Sequence, residues 1–240
     1  MAVKKGEGKF EVVYSRVTIP RWGEDITGWL TRPQRRPAPG LLIAPHAWGI
    51  TGFVESFCHR LSRQGYSCLA VEPFSRGGKP HRSVVPETAR QAFRGLPHSR
   101  YVLDLRAGLD FMRRSGDAVP DRVAALGIGD GDRAALDLAA ERDAALRALV
   151  LAYSPLPTGE GEVKPLALPF LGLYGARDGA APADAARAFA GVVARAGARP
   201  QLYVYPNAGH DFLDDERDSF DPGAADDAQA KLLDFLGANL

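Results

Sequence analysis

The sequence predicts an α/β fold, a mostly parallel twisted sheet with helices on both faces and an antiparallel edge at its N-terminal side. Three observations lead there. From Gly40 onward, short apolar runs recur, each followed by a glycine-containing turn and then by a helical pattern. That alternation belongs to strands buried on both faces and joined by crossover helices. Before Gly40, two segments rich in β-branched and aromatic residues flank a stretch of turn formers, as in an antiparallel pair. Finally, 240 residues are enough for one sizeable core, and α/β folds of this length are commonly one domain. A single domain over residues 1–240 is expected, with residues 1–9 frayed because they are polar.

The elements follow in order. Phe10–Ile19 and Ile26–Thr31 read as strands joined through Pro20-Arg21-Trp22-Gly23-Glu24-Asp25. Gln34–Pro39 reads as an exposed loop. Leu41–Ala44, Cys68–Val71, Val123–Leu126, Leu149–Ala152, Phe170–Tyr174 and Leu202–Tyr205 are the candidate buried strands. Between them, Phe53–Gln64, Tyr101–Arg114, Asp132–Glu141, Pro182–Ala196 and Ala224–Leu236 carry helical patterns. In the fourth, Phe189, Val192 and Val193 share one helix face, and Pro182 suits a first-turn position. Pro120-Asp121 predicts a turn into the central strand. No internal repeat or low-complexity segment interrupts this series.

Composition narrows the function classes. With 30 basic and 29 acidic side chains and a formal charge of +1, nothing draws the chain toward nucleic acid or an anionic membrane. A small-molecule substrate is the expected partner, with a monomer or small homo-oligomer as the assembly. No apolar run approaches the roughly 20 residues that span a bilayer. Two cysteines, and an N-terminus broken by Lys4, Lys5, Glu7 and Lys9, give the expectation of a cytoplasmic protein. Cys58 and Cys68 fall on a predicted helix and strand, where buried thiols are inert.

In a doubly wound sheet, ligands gather beyond the carboxyl ends of the strands. The residues there are Pro45-His46-Ala47-Trp48-Gly49, Glu72-Pro73-Phe74-Ser75-Arg76-Gly77-Gly78, Gly127-Ile128-Gly129-Asp130-Gly131, Gly175-Ala176-Arg177-Asp178 and Pro206-Asn207-Ala208-Gly209-His210-Asp211. The third has the glycine frame of a strand-turn-helix elbow, in which a nucleophile stands at the centre. Its centre here is Gly129. Elbow, then acid, then histidine is the order of a Ser/Cys-Asp-His triad on such a sheet.

On these motifs, from about Val12 to the C-terminus, the chain resembles the dienelactone hydrolase family of α/β-hydrolases. The carrying segments are Leu42–Gly52 (LIAPHAWGITG), Gly65-Tyr66 with Glu72-Pro73-Phe74, the elbow, Tyr174–Pro182 (YGARDGAAP) and Asn207–Phe212 (NAGHDF). The resemblance implies an α/β-hydrolase fold and no cofactor or metal. It assigns the triad aspartate to Asp178 and the triad histidine to His210. The family's nucleophile, cysteine or serine, falls on Gly129. Two further positions depart from the family. His46 stands where a glutamate contacts the resting cysteine, and Asp130 stands where a hydrophobic residue is usual.

An aspartate bonded to one ring nitrogen fixes a histidine's tautomer and leaves the other nitrogen for proton transfer, so Asp178 and His210 remain a candidate general base. The alternative is a structural pair bracing two loops. The oxyanion hole needs backbone N–H groups, here those of Asp130 with Ala47 or Trp48, and these do not depend on a side chain at Gly129. His46 is a candidate second acid-base group or an ordinary loop histidine. Phe74, Arg76, Tyr153 and Phe212 are candidate pocket residues, Arg76 with Lys79, His81 and Arg82 forming a basic cluster suited to a carboxylate. A metal set of His46, Asp130 and His210, and Asp130 as a displaced nucleophile, are the less favoured options. The leading expectation is an enzyme acting on a small carbonyl compound without an acyl-enzyme, as a lyase, cyclase or isomerase. The alternatives are a water-mediated ester or lactone hydrolase and a non-catalytic ligand-binding protein.

Overall fold

The computed structural model describes residues 8–21, 23–80, 84–156 and 166–240. Strands β1 (Val12–Ile19) and β2 (Ile26–Pro33) pair antiparallel, with Val12 opposite Pro33 and Ile19 opposite Ile26. Trp22, in the turn between them, lies outside the described residues. The remaining strands are β3 (Ala38–Ala44), β4 (Ser67–Val71), β5 (Ala118–Ile128), β6 (Ala148–Ala152), β7 (Pro169–Gly175) and β8 (Arg199–Tyr205). They run parallel to one another, and the sheet order is β1-β2-β4-β3-β5-β6-β7-β8.

Side chains alternate between two buried layers, as a period of two dictates. Leu42, Leu69, Val71, Val123, Leu149 and Leu151 face one core. Leu41, Ile43, Cys68, Ala70, Leu126 and Val150 face the other. Helix α1 (Gly52–Arg63) closes the second layer through Phe53, Val54, Phe57, Cys58 and Leu61. The C-terminal helix, Pro222–Asn239, closes it through Leu232, Phe235 and Leu236, and its N-cap Asp221 accepts the Ala224 N–H at 3.0 Å. The first layer is closed by Tyr101, Leu105, Leu109 and Met112 of the helix His98–Arg114 and by Phe189 and Val193 of Ala183–Arg195.

The sheet departs from the expected elements in three places. Ala38 and Pro39 belong to β3 and not to a loop, and Ala38 is buried. Pro120-Asp121 lies inside β5, where the pairing with β3 shifts register between Ala118 and Val123, so no ladder donor is needed at the proline. An unexpected helix, α2 (Pro86–Arg94), follows β4. It fully buries only Ala89, and its short apolar stripe of Ala89, Ala92 and Phe93 sits in an otherwise polar segment with Pro86 in the first turn.

Topology sets the site. Chain order reverses beside β3, which has β4 on one side and β5 on the other. The carboxyl ends of β3 and β5 flank the crevice that such a switch point opens.

Candidate active site

After helix α3 (His98–Arg114), β5 ends in a single tight 3-10 turn, Gly129–Gly131, from which α4 (Asp132–Ala139) departs. The outer glycines are required by contact. A Cβ on Gly127 would stand 2.3 Å from Asp132 Cα, and one on Gly131 would stand 2.3 Å from the Pro45 carbonyl oxygen. Gly129, at the apex, has φ +54° in the left-handed region. A Cβ there would meet His46 Cβ at 3.4 Å and Tyr153 Cε2 at 3.6 Å, so the apex has room for a side chain.

The loops after β7 and β8 bring the acid and the histidine together. His210 Nδ1–H donates to Asp178 Oδ2 at 2.8 Å. The other oxygen, Oδ1, accepts the N–H groups of Ala180 and Ala181 at 2.8 and 2.9 Å, which fixes the carboxylate. Burial of Asp178 works against its charge, but the bond and charge of His210 and the two N–H groups outweigh it and hold the pKa below the ordinary value. Burial of His210 likewise disfavours the imidazolium. The bond to Asp178 and the charges of Asp211 and Asp178 overcome that, and its pKa stands above the usual imidazole value.

Three more groups surround the ring. Tyr153, fully buried, packs edge-on to it with centroids 5.3 Å apart, and Phe212 supports Tyr153 at 5.7 Å. Asp211 directs Oδ1 to 3.7 Å from His210 Nε2. Asp130, mostly buried in the apex turn, lies 4.0 Å from Arg90 Nε of helix α2. Desolvation raises the Asp130 pKa, with Asp211 adding to the effect and Arg90, His210 and His46 opposing it. Arg90 and Asp211 escaped the sequence reading. The periodic signal of helix α2 is only Ala89, Ala92 and Phe93, and Asp211 stands out only through its backbone geometry.

His46, the expected second acid-base group, abuts the elbow, its Cβ 3.4 Å from where a Cβ on Gly129 would stand. Its ring is buried, Nδ1 accepts the Trp48 N–H at 3.3 Å, and Nε2 faces Asp214 Oδ2 at 3.6 Å. Both ring nitrogens are turned to protein atoms, and the ring stacks on Phe53. Asp214 is held in turn by Arg217 at 3.5 Å, whose guanidinium lies 3.7 Å above the Trp48 ring. Of the candidate oxyanion donors, the Trp48 N–H is directed to His46 Nδ1.

Arg76 is also placed away from the dyad. It makes a two-pronged bond to the buried Asp104 at 2.7 and 3.0 Å and a further bond to Glu24 at 2.6 Å. Phe74 packs on Phe93, Lys79 pairs with Glu72 at 2.7 Å, and His81 and Arg82 lie outside the described residues. Cys58 and Cys68 are buried free thiols, and burial pushes the Cys68 pKa to about 12. Among the described residues, no group of three or more His, Cys, Asp or Glu side chains is placed to hold a metal ion. No helix among them is long and apolar enough to cross a membrane.

Sheet order, elbow and acid-histidine pair together define an α/β-hydrolase fold. Residues 26–240 match the Dienelactone hydrolase family, and the chain belongs to that family. A Yersinia pestis protein named "Putative carboxymethylenebutenolidase" is 28% identical over 231 residues, covering 91% of this chain and 86% of that one. A protein of the same name from Escherichia coli (strain K12) is 27% identical over 237 residues, covering 94% and 87%. Among solved structures, a "Putative Dienelactone Hydrolase" from Klebsiella pneumoniae subsp. pneumoniae MGH 78578 superposes with a TM-score of 0.84 at 26% identity, covering 95% of this chain and 99% of that one.

Proposed function

We propose that this protein is an ester or lactone hydrolase in which water, and not an enzyme side chain, attacks the carbonyl. The names carried by its relatives describe lactone hydrolysis, and they favour this reading over the lyase, cyclase or isomerase chemistry expected from the residues alone. The observation that carries it is the 2.8 Å bond between Asp178 and His210 beside an elbow whose centre, Gly129, bears no attacking atom. Gly129 stands where the family's nucleophile stands.

In the proposed reaction His210 Nε2 takes a proton from water as the water oxygen adds to the substrate carbonyl. The N–H groups of Asp130 and Ala47 receive the developing oxyanion. Collapse of the tetrahedral intermediate breaks the carbonyl carbon–oxygen bond. The imidazolium then returns its proton to the leaving oxygen, and the products are an acid and an alcohol or enol. His46 accepts the Trp48 N–H and so braces the loop that carries Ala47.

Steady-state hydrolysis of p-nitrophenyl acetate and of an aryl lactone tests this. Turnover by the wild type that is lost in His210→Ala, and that survives fluorophosphonate and iodoacetamide, is the expected result. Covalent labelling of a pocket residue with loss of turnover would overturn it.

A further inference from the structure

Two residues other than glycine adopt left-handed backbone beside His210. Asp211 has φ +59° and Tyr153 has φ +44°. Such conformations are costly for residues with a Cβ and persist where the surrounding structure enforces them, commonly at functional sites. For Tyr153 the enforcement is visible in its packing against His210 and Phe212. For Asp211 the chain is fixed by the Asp214 N–H, which donates to the Asp211 carbonyl at 2.9 Å. The result is a carboxylate only 6% exposed, delivered to the side of the imidazole opposite Asp178.

The geometry on that side is specific. Nδ1 of His210 is committed to Asp178, so Nε2 is the nitrogen free to exchange a proton. Asp211 Oδ1 lies 3.7 Å from it. That is too long for a direct hydrogen bond, whose range ends near about 3.2 Å, and short enough for one water to reach both atoms. The other charged groups acting on the ring are Asp178 after β7, Arg90 of α2 and Asp130 of the elbow.

We propose that Asp211 is a catalytic residue, the second acceptor for the attacking water, taking one of its hydrogens in a hydrogen bond while His210 Nε2 removes the other. The proposal rests on the hydrolytic reading above and says how the water is held. With both hydrogens directed to protein acceptors, a lone pair of the water is left for the carbonyl carbon. The proton removed goes to Nε2, and the imidazolium lies between the carboxylates of Asp178 and Asp211 until it returns the proton to the leaving oxygen. Asp211 takes up no proton in this step, which balances without a further co-reactant.

Asp211→Gly and Asp211→Asn test the proposal on p-nitrophenyl acetate. Glycine suits the left-handed backbone, so Asp211→Gly is expected to melt no lower than wild type, and about 2 °C higher if the strain is relieved in full. Its kcat is expected to fall about 100-fold with KM within about twofold, as for loss of a group acting in proton transfer. Asparagine, which keeps an acceptor oxygen without the charge, is expected between the two. In both variants the acid limb of the kcat profile moves to lower pH, because His210 loses one of its two carboxylates. A kcat within about threefold of wild type in Asp211→Gly, or a lost kcat with that limb unmoved, overturns the role of Asp211 alone. A wild type no faster than His210→Ala overturns the hydrolytic reading and this proposal with it.

Discussion

The Asp178 carboxylate is bonded on both oxygens, one to His210 Nδ1 at 2.8 Å and the other to the N–H groups of Ala180 and Ala181. The histidine is thus aligned by a group that cannot itself rotate. Replacing Asp178 by Asn offers Nδ1 an amide and permits the wrong tautomer while preserving size. Asp178→Asn is expected to lower kcat by about 100- to 10,000-fold with little change in KM, and His210→Ala to abolish turnover. Steady-state kinetics on an aryl ester read both, and an unimpaired Asp178→Asn would remove the dyad from the reaction.

The same pair separates the pH of greatest activity from that of greatest stability. His210 has its pKa raised above 6.5, so its contribution to folding is full below that value and is lost as pH rises through the folded-state pKa. Asp178 has its pKa lowered below 3.8, so its contribution is full above that value and is lost as pH falls through the folded-state pKa. The dyad therefore stabilises most between 3.8 and 6.5. As a base, His210 works only when unprotonated, and kcat is expected to rise at pH above 6.5. Urea unfolding and kcat measured over the same pH series check the offset, and the pH dependence of unfolding in this range should flatten in His210→Ala.

The elbow retains the backbone for a nucleophile. Gly129 has φ +54° and no atom nearer than 3.4 Å to an added Cβ. Gly129→Ser is expected to fold with a loss of about 1–2 kcal/mol for the left-handed conformation. It is also expected to gain fluorophosphonate labelling at position 129, detected by intact mass and dependent on His210. By contrast, Gly131→Ala drives a Cβ into the carbonyl oxygens of Pro45 and Ala44 at 2.3 and 2.5 Å, and soluble folded protein is not expected.

Arg76 spends its guanidinium on protein carboxylates, which points to a stabilising role. Its guanidinium is paired with the buried Asp104, which Arg21 also approaches at 3.0 Å. Arg76→Ala leaves Asp104 with one partner and is expected to cost about 2 kcal/mol in urea unfolding. KM for a carboxylate-bearing ester should stay within about twofold, and a larger rise would return Arg76 to the pocket.

Much of this was legible in the chain. The apolar runs that became β3 through β7 were readable because burial on both faces leaves uninterrupted hydrophobic stretches. Helix α2 was not, because its stripe of Ala89, Ala92 and Phe93 is short and set in a mostly polar segment. The elbow glycines, Asp178 and His210 were readable because each sits in a short motif at a strand end. Asp211 adjoins His210 in sequence, yet only its positive φ turns its carboxylate to Nε2.

The sequence by itself determined the alternation of strands and helices, the order of elbow, acid and histidine, and the absence of a side chain at Gly129, all of which are local properties. Tertiary structure alone decided that His46 turns to Trp48 and Asp214, that Arg76 is held by Asp104 and Glu24, and that Asp211 faces His210. Those outcomes depend on which distant segments supply a partner for each buried polar atom. A buried charge takes the partner that packing brings within reach, and no spacing along the chain encodes that distance.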